Sequence, residues 1–231
     1  MKIEFIAGDA HVSQVREKPL PASQFIPDWW KNMPPFSKGD SKLKIRPYSN
    51  VTAKKCFPLL DGMTAGYIVT LWADLLVENE NGFSKVQWTT EADILSAWDG
   101  YQTEGFEIPE NFCFPVYKYF HGWSIKTPAG YSCLITHPVA YPNLPIKTLT
   151  GVVDTDTFDG FANSPFVIQK GFEGIIEKGT PMFQIIPFKR DEWEAVYKER
   201  TPEQTFMIQE RFYSKIQASY GRGYRSKKSF S

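Results

Sequence analysis

The chain is poor in the residues on which disulfide-bonded and metal-bound folds rely, with three cysteines and three histidines among 231 residues. Cys56, Cys113 and Cys133 are odd in number, widely spaced and set in apolar sequence (KKCFPLL, NFCFPV, YSCLI). This argues against a disulfide framework and for buried free thiols in a reducing compartment. Net charge is also missing: 26 basic residues balance 26 acidic ones, which removes a global electrostatic pull toward nucleic acid or an anionic membrane. No apolar run approaches membrane-spanning length, and the opening MKIEFIAGDAHV has neither a signal core nor an Arg-rich amphipathic pattern. A cytoplasmic location is therefore expected, of a host or of a virus replicating in one. A GxSxG elbow, a phosphate loop and a dinucleotide glycine fingerprint are all lacking, as is any internal repeat.

What the chain does have is aromatic material for a large core: 18 Phe, 11 Tyr and 7 Trp. Residues 2 to 7 alternate as a strand, and Pro27 opens a short helix around Trp29 and Trp30 that Pro34 and Pro35 must end. The Trp pair reads as a plug on the core, with a ligand-stacking platform as the alternative. SKGDSKLKIRP, residues 37 to 47, reads as an exposed loop. From Thr52 the pattern turns strand-like, and ENENG separates TAGYIVTLWADLLVE from KVQWTT as a hairpin. FCFPVYKYF, GWSIKTP and YSCLITHP continue as short strands at sandwich or barrel spacing. KRDEWEAVYKER and TPEQTFMIQERFYSKIQASY have helical composition, the second with Thr201 as cap and Pro202 at the first position. Its apolar stripe is Phe206, Met207, Phe212, Tyr213, Ile216 and Tyr220. The expected fold is mainly β, a compact β-clip or barrel-like set of sheets with one or two C-terminal helices. One domain over residues 1–220 and a flexible basic tail over 221–231 complete the expectation.

Chemistry concentrates in GVVDTDTFDG, residues 151 to 160, where Asp154 and Asp156 stand two apart. Such a pair can share a proton, hold Mg²⁺ through water or orient a nucleophilic water, and it can equally bond local backbone N–H groups in a turn. Lys126, Lys147 and Arg190 are the basic residues expected to meet phosphates if the carboxylates are catalytic. His121 and His137 flank a hairpin and, with Asp154 or Asp156, define a conceivable two-His-one-carboxylate iron site. Arg222, Arg225, Lys227 and Lys228, beside Tyr224 and Phe230, form either a solvated tail or an arm for phosphate or nucleic acid.

The segment from 123 to 188 resembles dUTPases and the related dCTP deaminases. Their "GVIDxDYxG" turn carries an Asp that orients the attacking water and a Tyr that contacts the nucleoside, and GVVDTDTFDG matches its start. IEKGTPMFQIIPF resembles the strand, Gly turn and Gln-containing strand that follow, and KTPAGYSCLITHP the turn and strand that precede. Thr157 stands where the Tyr would be, THPVAYP replaces the phosphate motif, and GRGYRSKKSFS does not reproduce the Gly-rich closing motif. Over a longer span, IPDWWKNMPPF, KKCFPLLDGMTAGYIV, GVVDTDTF and KGTPMFQIIPFKRDEW are similar to a family of bacterial and phage proteins without assigned chemistry. The resemblance implies a shared β scaffold and, if the dUTPase-like topology holds, a homotrimer. The first reading is a binding or assembly protein, virion-associated in one version, with self-association and a protein partner. The alternative is a Mg²⁺-dependent nucleotide hydrolase, and the iron oxygenase stands third.

Overall fold

The computed structural model describes residues 1–38, 51–214, 219–226 and 228–231. The expected loop at 37 to 47 and the stripe residue Ile216 fall largely or wholly outside them. The fold is mainly β and every strand pairing is antiparallel. The strands are β1 (Glu4–Ala7), β2 (Leu20–Pro21), β3 (Tyr67–Thr70), β4 (Leu75–Glu80), β5 (Phe83–Gln87), β6 (Leu95–Ala97) and β7 (Phe112–Tyr119). They continue as β8 (Trp123–Lys126), β9 (Tyr131–Thr136), β10 (Ile146–Thr148), β11 (Gly151–Val153), β12 (Ser164–Gln169), β13 (Gly174–Ile176) and β14 (Pro181–Lys189). Helices α1 (Ala10–Val15), α2 (Asp28–Asn32) and α3 (Phe57–Thr64) lie in the N-terminal part, and α4 (Pro202–Ser214) and α5 (Ser219–Gly223) close the chain.

A five-stranded sheet runs β11-β9-β14-β3-β2 and a four-stranded one β10-β12-β7-β6, with β13-β4-β5 and β1-β8 as smaller sheets. This arrangement fits the expected β-clip type. Leu71, Leu75, Tyr119, Phe166, Phe183 and Ile185, all at most 1% exposed, form the core between the sheets. Alternation fixes which faces turn inward: in β4, Leu75 and Val77 are buried while Leu76 and Glu78 are exposed. Asn81 and Gly82, both at positive φ, make the two-residue turn between β4 and β5, the geometry an Asn-Gly hairpin favours. The buried Tyr119 hydroxyl ties the sheets together by donating to Thr70 O at 2.8 Å and accepting from Trp72 N at 3.0 Å.

Gln184, fully buried in β14, braces the other side of the five-stranded sheet. Its amide nitrogen donates to Gly62 O and Ala65 O, and its oxygen accepts from Val139 N. That bracing seats α3, whose Met63 packs with Trp30 and Ala140 in a small second core.

Four expectations about the fold need correction. Residues 57–64 form α3 rather than a strand, because Pro58 suits the first helical turn and Met63 finds the Trp30 pocket. Only Trp30 plugs the core; Trp29 is 48% exposed, packed edge-on against Trp30. Residues 191–200 carry no helix and are exposed throughout, since a short segment without a packed face cannot offset the cost of nucleating one. Cys113 and Cys133 are buried as expected, but Cys56 is exposed at the start of α3.

Candidate functional site

Two register relationships build the site around residues 151–160. Val153 of β11 stands opposite Cys133 of β9, so the chain leaving β11 turns beside the start of β9. Phe188 and Lys189 of β14 stand opposite Ser132 and Tyr131, which brings the next residue, Arg190, to Gly130. There Arg190 N donates to Gly130 O at 2.8 Å. The turn is closed by Thr157 N and Phe158 N donating to Asp154 O, and Thr155 beneath it is fully buried against Thr127, the hydroxyls 2.7 Å apart.

Both carboxylates converge on Arg190. Asp156 receives Nη1 at 2.8 Å and Nη2 in a two-pronged pair, and its other contact is Gly130 N at 2.8 Å. Its side chain is 6% exposed. The hydrogen bonds from Arg190 hold its carboxyl well below the usual carboxylate range, against burial, which acts in the opposite direction; the Gly130 N–H helps. Asp154 accepts from Ser132 Oγ at 2.6 Å and from Arg190 Nη1 at 3.3 Å, with a side chain 61% exposed. The same guanidinium also donates to Tyr131 O and Ser132 Oγ.

The structure thus brings Asp154, Asp156 and Arg190 together and leaves out the two lysines. Lys126 sits on β8 opposite Glu4, and Lys147 on β10 opposite Val167. Ser132 and Gly130, which complete the cluster, were not singled out in the sequence; the only signal for Ser132 was its place in the alternating strand YSCLIT. Asp154, Thr157 and Phe158 border an open cleft of about 520 Å³ that also reaches Phe161 and Asn163.

Chemically, the arrangement is an ion-pair cluster of two carboxylates bridged by one guanidinium. A cation already occupies the space between the carboxylates, which disfavours a second, divalent one there. Among the described residues no group of three or more His, Cys, Asp or Glu side chains could hold a metal ion. The iron-site expectation is corrected on the same footing. Trp123 N donates to His121 Nδ1, leaving Nε2 to donate to Ala162 O, and Thr148 N donates to His137 Nδ1, leaving Nε2 to donate to Tyr141 O. Each imidazole spends both nitrogens on backbone, so neither offers a lone pair.

No family model and no curated protein matches the chain. Among solved structures it is similar to the dUTPase of Staphylococcus bacteriophage 80alpha, at 13% identity over 87% of this chain and 90% of that one, with a TM-score of 0.37. It is also similar to the dUTPase from phage phi11 of S. aureus, at 11% identity over 87% of this chain and 99% of that one, with a TM-score of 0.38. These are proteins of the kind that residues 123 to 188 resemble. At such TM-scores the likeness carries no argument about activity.

Proposed function

We propose that this chain is a binding or assembly protein that self-associates through its C-terminal arm. The observation that carries this reading is the arm itself, from Arg190 to the end of α4. Trp193 is 89% and Tyr197 93% exposed, and Val196, Phe206 and Met207 each expose more than half of their surface. Together these five side chains present on the order of 800 Å² of largely apolar surface, about what one partner contributes to a standard-size interface. Exposed apolar side chains gathered along one stretch of the chain, from 193 to 207, support an interaction surface there.

A second copy is the occupant because the same chain also offers a receiving face. On the outer side of the β13-β4-β5 sheet, Ile175 stands directly opposite Leu76, and both are exposed, as is Phe83 two pairs along the same face from the Glu78–Lys85 pair. Arm and face differ from one another, so their pairing is head-to-tail and closes into a ring when the rotation permits, a trimer being the version the dUTPase resemblance suggests. In this proposal residues 1–220 act as one mainly β unit in a host cytoplasm or virion. No helix of the described residues is long and apolar enough to cross a membrane.

Sedimentation velocity over a concentration series tests it. The wild-type chain should sediment as a dimer or larger, and Trp193→Asp with Tyr197→Asp, or Phe83→Asp alone, should give monomer while shifting the melting temperature by no more than about 2 °C. A wild-type chain that stays monomeric at every concentration would overturn the reading.

The hydrolase alternative rests on one observation, the exposed Asp154 at the rim of the cleft. With Arg190 between the carboxylates, Mg²⁺ together with dUTP or dCTP is expected to leave the melting temperature unchanged. A Mg²⁺-dependent rise that Asp154→Ala abolishes would restore the hydrolase reading, since a ligand of the native state raises its stability by mass action.

A further inference from the structure

We infer that the seat formed by Asp61, Phe57 and Tyr67 docks a basic and aromatic segment of another protein, and that residues 225–230 of this chain hold the seat closed until that partner displaces them. This goes beyond self-association and uses neither the exposed arm that precedes α5 nor the β13-β4-β5 face.

The body builds this seat around an acid that it does not itself satisfy. Asp61 lies on α3 with a side chain 9% exposed. Every hydrogen bond that its carboxylate receives from the described residues comes from Arg225 or Lys228. Arg225 Nη2 donates to Oδ1 at 2.6 Å, Arg225 Nε is shared between the two oxygens, and Lys228 Nζ donates to Oδ2 at 3.0 Å. A carboxylate so enclosed is costly without a cation, so the seat selects for one. Phe57, at the start of the same helix, adds a ring whose centre is 4.9 Å from the Arg225 guanidinium carbon. Tyr67 on β3 receives Phe230 edge-on with ring centres 6.2 Å apart, and its hydroxyl donates to Ser231 O at 3.2 Å. The pattern read is an arginine, a lysine three positions on and an aromatic ring two beyond that.

Two observations make the present occupant displaceable. Arg225, Ser226, Lys228 and Ser229 are exposed, so the segment lies on the surface, tied down by the ends of its side chains. A cleft of about 420 Å³ also borders Phe230, walled by Ile3, Tyr67, Pro128, Tyr131 and Pro187 among others, and Phe230 does not fill it. The tethered segment enjoys a high local concentration, so an identical segment from a second copy gains nothing by replacing it. A foreign segment with a larger ring does gain, because it buries apolar surface in the cleft.

The experiment is fluorescence anisotropy on the full chain with a labelled peptide, Tyr-Arg-Ser-Lys-Lys-Ser-Trp, which copies 224–230 with the last ring enlarged. The unaltered sequence ending in Phe and a scrambled Trp peptide of the same charge run in parallel. Arg225→Ala with Phe230→Ala opens the seat. The wild-type chain should bind the Trp peptide saturably, and the opened chain about tenfold more tightly because the competitor in cis is gone. The scrambled peptide should bind about tenfold more weakly than the Trp peptide, as should the Trp peptide to Asp61→Asn. No saturable binding by wild-type or opened chain, or equal binding of ordered and scrambled peptides, would overturn the inference. Equal affinity for the Phe and Trp peptides would hand the seat to a second copy and overturn it as well. The comparison of peptides on the wild-type chain stands even if a variant fails to fold.

Discussion

Gly66→Ala is expected to leave no cooperatively folded protein at ambient temperature. Gly66 joins α3 to β3 at φ +68°, and a methyl built on it would lie 1.8 Å from Ile185 O and 2.8 Å from the carbonyl carbon behind it. The obstructing atoms are backbone and cannot swing aside. Ile185 is fully buried in β14, paired with Ile135 on one side and Tyr67 on the other, so relief requires parting the five-stranded sheet. Gly66 O also accepts from Ala22 N, and any retreat of the loop breaks that bond. A cost above about 4 kcal/mol follows, a large share of the roughly 5–15 kcal/mol that stabilises a typical domain. Gly82→Ala isolates the steric part. Gly82 has φ +83° with nothing within 4 Å, so its substitution carries only the left-handed backbone penalty of about 1–2 kcal/mol. Urea denaturation compares the two; equal midpoints would show that Gly66 does not lie against the Ile185 carbonyl as described.

The second large effect is a fall in stability on acidification that depends on His121. The ring is 1% exposed, packed against Phe183 and Tyr119. Burial pushes its pKa down to about 4, and the nearby Arg16 cation acts in the same direction, against the hydrogen bond to Ala162 O. In the unfolded chain the imidazole titrates near its ordinary value of about 6.5. Between those values the unfolded state binds a proton that the folded state refuses, so stability is fully present above pH 6.5 and declines as pH falls toward 4. The whole decline amounts to about 3 kcal/mol. His121→Gln should flatten this part of the curve whatever it does to the plateau. Below pH 5 the carboxylates also titrate, but they do so in both proteins and cancel in the difference. His137 is shifted downward too, chiefly by burial, and contributes alike to both proteins. Parallel denaturation curves for the two proteins from pH 7 to 4.5 would sink the prediction.

The strands were legible where β-branched and aromatic residues run between turn signals. FCFPVYKYF, YSCLIT and PMFQIIPF carry the core and appear as β7, β9 and β14. Local turn chemistry was equally plain at Asn81-Gly82 and at 154–158. Non-local pairing was not. Arg190 reaches Asp156 only because β14 and β9 take a register set by residues more than fifty positions apart, and nothing in KRDEWEAV announces it. The same blindness explains α3: FPLLDGMT is apolar enough for a strand, and what makes it a helix is a pocket around Trp30 and a brace from Gln184, both distant in sequence. At 191–200 helical composition without a packing partner remained composition only. The basic residues at 221–231 show the converse. Arg225 and Lys228 both pair with Asp61 of α3, and Phe230 packs edge-on against Tyr67, contacts that charge counting does not reveal.

The distribution of thiols gives the folded chain a graded chemical reactivity. Cys56 is open to an alkylating reagent in the native state, whereas Cys113 is buried in β7 of the four-stranded sheet and Cys133 in β9 of the five-stranded one. Burial also pushes the Cys133 thiol up, so it is poor in thiolate until its surroundings open. After Cys56 is blocked, the order in which the other two are modified is a clock for the two large sheets: each labelling event timestamps the loosening of one layer, and simultaneous labelling means that the layers open as a single unit.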